Sequence, residues 1–112
     1  MKLIPSLRQK KRYMVFAIIS STTFSAAEVK EEVRRALQQF LGEWGVAQAG
    51  PLFLGEKFNA QSQKFLLKVN HNYIDELKAA LTLCTKIKNS PVIIKSVTTS
   101  GTLKKASLFL KE

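Results

Sequence analysis

The longest apolar run of the chain is Met14–Ile19, which lies within the predicted strand Tyr13 to Ser20, YMVFAIIS. It is apolar at successive positions and rich in β-branched and aromatic residues, which is typical of a central strand covered on both faces. Its apolar part, Met14–Ile19, is far shorter than the roughly 20 residues that a membrane-spanning helix needs. The pattern predicts an internal first strand, and we expect neither a targeting segment nor membrane contact.

A helix is predicted to follow this strand. Ser25 and Glu28 have the capping-box spacing, in which each side chain bonds to the backbone amide of the other residue. Gly42 and Gly45 favour the left-handed conformations that end helices, and Trp44 between them is expected to cover the end of the core. The helix should run for about four turns. Its apolar stripe is Val29, Val33, Ala36, Leu37 and Phe40.

An antiparallel hairpin is predicted next, from Pro51–Phe58 and Lys64–Asn70 with a polar loop of four or five residues. A second helix should follow, with Asn70 or Asn72 as its cap. Its apolar stripe is Tyr73, Leu77, Ala80, Leu81, Cys84 and Ile87.

Pro91 introduces a fourth predicted strand, Val92 to Val97, and the tail from Ser100 is expected to close with a short helix. The order βαββαβ is that of the ferredoxin-like fold, an α+β sandwich whose four-stranded antiparallel sheet carries both helices on one face. We predict one domain, with a basic arm in residues 1–12, the core in residues 13–100 and the tail in residues 101–112. The other sheet face is expected to stay open for a protein partner.

Positive charge dominates the composition, because eighteen Lys and Arg against eight Asp and Glu give a net charge of +10. A small domain with so high a positive charge attracts polyanions as binding partners, above all nucleic acids. The basic residues concentrate in the arm and in the last third of the chain. If the first and fourth strands are neighbours, as this fold requires, the two clusters can merge into one patch.

The segment Ser100–Gly101–Thr102 is followed by Lys104 and Lys105. Hydroxyls, a glycine and two ammonium groups at this spacing can be presented to one phosphate. The same segment also fits a turn in which Thr102 caps the final helix. Both interpretations can hold together.

The sequence contains no residue set typical of an active site. His71 and Cys84 are the only histidine and cysteine, so a zinc site lacks its ligands, and the single thiol indicates a reducing, cytoplasmic compartment. Glu28, Glu31 and Glu32 lie in the first turns of the predicted helix, where they complement its dipole. We therefore expect no catalytic residue, metal or cofactor on the protein itself.

Other functions share this element order. An RNA recognition motif carries glycines and stacking aromatics in its third strand, and Lys64–Val69 does not match. An acylphosphatase-like enzyme needs an arginine after the first strand, and Ser20–Phe24 has none. A ligand-sensing regulatory module would be near neutral, with a glycine at the end of the first strand. A generic, ribosomal-type RNA-binding protein remains an alternative.

Three motifs resemble the archaeal ribonuclease P protein component 2 family, in the right order and at the right spacing. They are Leu7–Tyr13 before the first strand, Phe40–Gly45 after the first helix and Ser100–Ala106 near the end. The last motif is the most distinctive, and the resemblance covers almost the whole chain.

The resemblance implies a protein subunit of ribonuclease P, which removes the 5′ leader of precursor tRNA. It implies that the RNA subunit performs the hydrolysis with magnesium ions, while the protein binds and stabilises that RNA and meets precursor tRNA indirectly. It also implies binding to protein component 3 and self-association within a heterotetramer. The residues carried over as RNA contacts are Arg8, Lys10, Lys11, Arg12, Ser100, Gly101, Thr102, Lys104 and Lys105.

Overall fold

The computed structural model describes residues 10–110. The elements are β1 (Lys11–Ile19), α1 (Ala26–Ala49), β2 (Leu52–Phe53), β3 (Lys64–Asn70), α2 (Ile74–Thr82), β4 (Lys86–Ile87), β5 (Ser90–Pro91), β6 (Ile93–Ser100) and α3 (Leu103–Ser107). Four strands form one antiparallel sheet in the spatial order β2-β3-β1-β6, and two short strands, β4 and β5, form a separate hairpin. The α+β, ferredoxin-like arrangement predicted from the element order is confirmed, with β6 as the predicted fourth strand.

The central strand β1 pairs with β3 on one side and with β6 on the other. Its register with β6 shifts at a bulge between Val15 and Phe16. Val97 is the extra residue of that bulge, because Val15 pairs with Thr98 and Phe16 pairs with Ser96. As predicted for an internal strand, β1 is covered on both faces over its middle.

The main core lies between the sheet and helices α1 and α2. The rings of Phe16 and Phe65 stack there with their centroids 5.4 Å apart. Each large apolar side chain buried in this layer contributes about 1.5–3 kcal/mol relative to its exposed state. The sheet side chains in this core are Met14, Phe16, Ile18, Phe65, Leu67, Val69 and Ile94.

Helix α1 is longer than the sequence predicts. Gly42 leaves the helical conformation, with φ 74° and ψ 173°, but the helix resumes and ends only at Gly50. The predicted break at Gly42 is therefore present, but a second helical segment follows it, and Gly45 lies inside that segment instead of ending a helix. Phe40 and Trp44 lie on either side of this break, and their side chains are 45% and 78% exposed. The predictions that Phe40 lies on the buried stripe and that Trp44 covers the core are wrong.

The second half also differs in detail from the prediction. Only Leu52–Phe53 of the predicted second strand pairs with β3, and Gly55–Lys57 forms a 3₁₀ turn instead. A second 3₁₀ turn, His71–Tyr73, precedes α2, and no side chain caps α2. Helix α2 ends at Thr82, so Ile87 reaches the core from β4 rather than from a helix.

The far face of the sheet is partly covered, which corrects the expectation that it stays open. Helix α3 and the residues after it pack on this face, where Val15 and Leu66 are completely buried beneath Ala106 and Leu110. The covering segment contributes apolar side chains of its own. Packing them against the sheet removes apolar surface of both from water, which stabilises the covered arrangement. Among residues 10–110, no helix has the length and hydropathy needed to cross a membrane.

Candidate nucleic-acid interface

The start of β1 and the end of β6 lie side by side, which brings the two predicted basic segments together. Tyr13 pairs with Ser100 in antiparallel register. A guanidinium nitrogen of Arg12, Nη1, lies 3.9 Å from the position that a Cβ on Gly101 would occupy. The two segments therefore form one surface, as the predicted fold requires. Predicted residue Arg8 lies outside the described residues.

This basic surface is defined by Lys10, Lys11, Arg12 and the segment Ser100–Lys105. Lys10, Lys11, Lys104 and Lys105 are exposed, and Arg12 is half-buried. Its cations belong to the start of β1, with Lys10 just before it, and to helix α3, which are far apart in sequence. The structure thus brings the start of β1, with Lys11 and Arg12, next to the turn that leads from Ser100 into α3.

The beginning of β1 is held in place by the end of β3. The His71 amide donates to the Lys10 carbonyl oxygen at 2.8 Å, and the Lys11 ammonium donates to Oδ1 of Asn70. Asn70 in turn donates from Nδ2 to the Gln48 carbonyl oxygen at 2.6 Å. The sequence suggested Asn70 only as a helix cap, because its position opposite Lys11 depends on the strand register.

The turn between β6 and α3 is organised by two hydroxyl groups. The Thr102 amide donates to Ser100 Oγ at 3.2 Å, and the Lys105 amide donates to Thr102 Oγ1 at 3.3 Å. Thr102 is therefore the N-cap of α3, as predicted. Both hydroxyls act as acceptors in these bonds, so each keeps its own hydrogen for donation to another acceptor, such as a phosphate oxygen.

The ion pairs among residues 10–110 lie away from this surface. Arg34 contacts Glu31 at 2.6 Å and Arg35 contacts Glu32 at 2.8 Å, both along α1. The hydrogen bond from Arg34 lowers the pKa of Glu31. No described carboxylate lies within ion-pair distance of a cation of the basic surface, so its positive charge is not neutralised locally.

The chemistry available at the basic surface is that of anion binding. Ammonium, guanidinium and hydroxyl groups are the donors that proteins use for phosphate oxygens. Within the described part of the chain, no three His, Cys, Asp or Glu side chains are close enough together to hold a metal ion.

A second surface lies on the helical side. A groove of about 650 Å³ runs between α1 and the end of α2. Its lining is mostly polar and charged, with the apolar side chains Phe40 and Leu83 exposed among residues such as Arg35, Lys86 and Lys88.

Comparison with known proteins identifies the family. The sequence model of the Rpp14/Pop5 family matches residues 12–111. The chain belongs to the Rpp14/Pop5 family. The resemblance predicted from three motifs is thus confirmed across the described core of this Rpp14/Pop5 protein.

The relatives of this Rpp14/Pop5 protein include several named ribonuclease P protein component 2. The one from Thermococcus kodakarensis is 39% identical over 101 residues, which cover 90% of this chain and 82% of the relative. The one from Pyrococcus furiosus is 37% identical with the same coverage, and the one from Methanocaldococcus jannaschii is 33% identical over 93% of this chain and 75% of the relative.

A solved structure supports the fold. A chain in the cryo-EM structure of yeast ribonuclease MRP aligns with a TM-score of 0.66 and 16% identity, covering 93% of this chain and 88% of that chain. At this identity the likeness concerns the fold of the Rpp14/Pop5 protein alone.

Proposed function

We propose that this Rpp14/Pop5 protein is a subunit of ribonuclease P that binds and stabilises the catalytic RNA during removal of the 5′ leader of precursor tRNA. One observation carries the proposal: Tyr13 pairs with Ser100, so Lys11 and Arg12 at the start of β1 lie beside the turn that follows β6. The names of the archaeal relatives support the choice of RNA.

The proposed mechanism is charge neutralisation. Each Lys or Arg that approaches a phosphate releases counterions from the RNA, which favours binding and lowers the repulsion between RNA segments held close together. Ser100 and Thr102 would add directional hydrogen bonds to the same backbone. The hydrolysis itself is assigned to the RNA, where bound magnesium would stabilise charge on the scissile phosphate.

The proposed partners are ribonuclease P protein component 3 and a second copy of this chain, within a heterotetramer. Exposed Phe40, Trp44 and Leu83 supply apolar area for such contacts. Precursor tRNA would be met indirectly, through the RNA. We also propose a cytoplasmic location, since a single cysteine is typical of a reducing compartment.

The test is cleavage of precursor tRNA by the ribonuclease P RNA of the source organism at moderate magnesium. The protein is added together with component 3, and the protein without RNA is the control. We expect stimulation by the pair and no cleavage by the protein alone. Absence of stimulation would favour a generic basic RNA-binding protein, and cleavage by the protein alone would reveal an active site of its own.

A binding experiment tests the basic surface itself. Replacing Lys104 and Lys105 together with Ala should weaken RNA binding and lower the slope of log affinity against log salt by about two, because two phosphate contacts are lost. The matched control, Lys30→Ala with Lys78→Ala, removes the same charge from the helical side. A slope as high as that of the original protein and the control would remove Lys104 and Lys105 from the interface.

A further inference from the structure

One row of side chains crosses the far face of the sheet and ends at the basic surface. Leu52 pairs with Lys68, Lys68 pairs with Tyr13, and Tyr13 pairs with Ser100. Directly paired residues of antiparallel strands point to the same face, so one residue from each of the four strands contributes to a continuous strip. The strip connects β2, at one edge of the sheet, with the turn before α3.

This strip stays open where α3 covers the neighbouring row. The covered row contains Val15 and Leu66, which are completely buried. Along the strip, Leu52 is 52% exposed, and Lys68, Tyr13 and Ser100 are half-buried. An elongated ligand lying on the basic surface can therefore continue across the sheet without displacing α3.

Lys68 provides a cation in the middle of the strip. Its Nζ lies 6.0 Å from the centroid of the Tyr13 ring, within the range of a cation–π contact. Among residues 10–110, no carboxylate forms an ion pair with Lys68. The ring restrains the ammonium over the sheet without neutralising its charge, so the charge remains available to an anion.

The distance from Lys68 to the basic surface fits a shared ligand. Lys68 lies two strand spacings from Ser100, which is about 10 Å. A single RNA strand that contacts the Ser100–Lys105 segment therefore passes within reach of the Lys68 ammonium. Every charge along this path is positive, which favours a phosphate backbone over a protein partner of mixed charge.

We propose that Lys68, positioned by Tyr13, binds a backbone phosphate of the same RNA that the basic surface binds. The proposal rests on the proposed function and extends its RNA contact across the sheet to β3. The sequence of β3 lacks the pattern of an RNA recognition motif, so Lys68 acquires this role from strand pairing alone.

The test measures binding of the full-length protein to in vitro transcribed ribonuclease P RNA over a range of salt concentrations. Lys68→Ala should lower the slope of log affinity against log salt by about one, the loss of one phosphate contact. Lys78→Ala, which removes the same charge from α2, should leave the slope unchanged. Lys68→Arg keeps the charge and should retain the slope, which separates loss of charge from misfolding.

Tyr13 is tested as a positioning residue. Tyr13→Phe keeps the ring and should bind RNA like the original protein, whereas Tyr13→Leu should lower the affinity while preserving apolar packing. Added to Lys68→Ala, Tyr13→Leu should have no further effect, because both act through one contact. A full additional loss in the double variant would overturn the positioning role.

The remaining outcomes separate this proposal from the proposed function. If Lys104→Ala with Lys105→Ala lowers the slope and Lys68→Ala does not, the RNA-binding surface ends at Ser100. In that case the proposal for Lys68 fails and the proposed function stands. If neither variant changes the slope, the proposed RNA surface fails as well. If Lys68→Ala weakens association with component 3 but not RNA binding, the strip is a protein interface and the proposal is overturned.

Discussion

Gly50 shows how a single residue joins two elements. It ends α1 with φ 56°, in the left-handed region that side chains other than glycine rarely adopt. A Cβ at this position would also lie 3.3 Å from Nδ2 of Asn70, the side chain that bonds to Lys11 at the start of β1. The conformation of Gly50 therefore helps to place the beginning of the basic surface.

Replacing Gly50 with Ala should lower the free energy of unfolding by about 1–2 kcal/mol, since Ala is strained at positive φ. Gly55→Ala is the matched control, because Gly55 has no positive φ and a Cβ there would meet one ring atom of Phe53 at 4.0 Å. Urea unfolding followed by circular dichroism measures both variants. Equal stability of the two variants would contradict the strain argument.

At the scale of elements, the start of α1 is the feature that sequence predicted best. The capping box is present, with the Glu28 amide donating to Ser25 Oγ at 3.3 Å and the Ser25 amide donating to Glu28 Oε1 at 3.0 Å. A cap is local, because its partners are three residues apart, and local patterns survive in any tertiary context. The far end of α1 depends instead on whether the chain after Gly42 can pack, which the glycine pattern does not reveal.

Ser25→Ala should lower the free energy of unfolding by about 1 kcal/mol through loss of the cap, and Ser21→Ala in the preceding bend should not.

The cap also depends on pH. The bond from the Ser25 amide lowers the pKa of Glu28. The contribution of this carboxylate is therefore present above its unfolded pKa and is lost as the pH falls through its lowered folded pKa. Urea unfolding between pH 7 and pH 3 measures both effects, with Glu28→Gln as the variant that removes the titrating carboxylate. A stability difference between the original protein and Glu28→Gln that stayed constant over this range would contradict the linkage.

At the scale of the whole molecule, surface composition predicts association. Charge of one sign covers the basic surface, while large apolar side chains are exposed at other positions: Ile19, Phe40, Trp44, Leu52, Leu83, Ile93 and Leu108. The basic surface favours binding to RNA, and the exposed apolar side chains favour contact with proteins. One small domain can therefore bind both kinds of partner. The arrangement suits a subunit of a larger ribonucleoprotein.

Sedimentation velocity of the isolated protein should show self-association that increases with protein concentration. Because apolar contacts are little affected by ionic strength, the association should persist at high salt, whereas RNA binding should weaken steeply. A chain that stayed monomeric at the highest concentrations would contradict the proposed pairing of two copies.

Except for the β4–β5 hairpin, the order of the elements could be predicted from local patterns in the chain, as could the cap of α1, the cap of α3 and the family. Each of these depends on patterns a few residues long, in which hydrogen-bonding partners or apolar neighbours are close along the chain. Ser25 with Glu28 and Thr102 with Lys105 are examples. Net charge is likewise a sum over residues and needs no fold.

Contacts between residues far apart in sequence could be recognised only in the folded structure. The contact of Asn70 with Lys11, the strip from Leu52 to Ser100 and the covering of Val15 by α3 all follow from strand register and from packing between segments far apart in sequence. A shift of one residue in register would turn each strand side chain to the opposite face of the sheet. Lys68 could therefore be recognised as a neighbour of the basic surface only after the strands were paired.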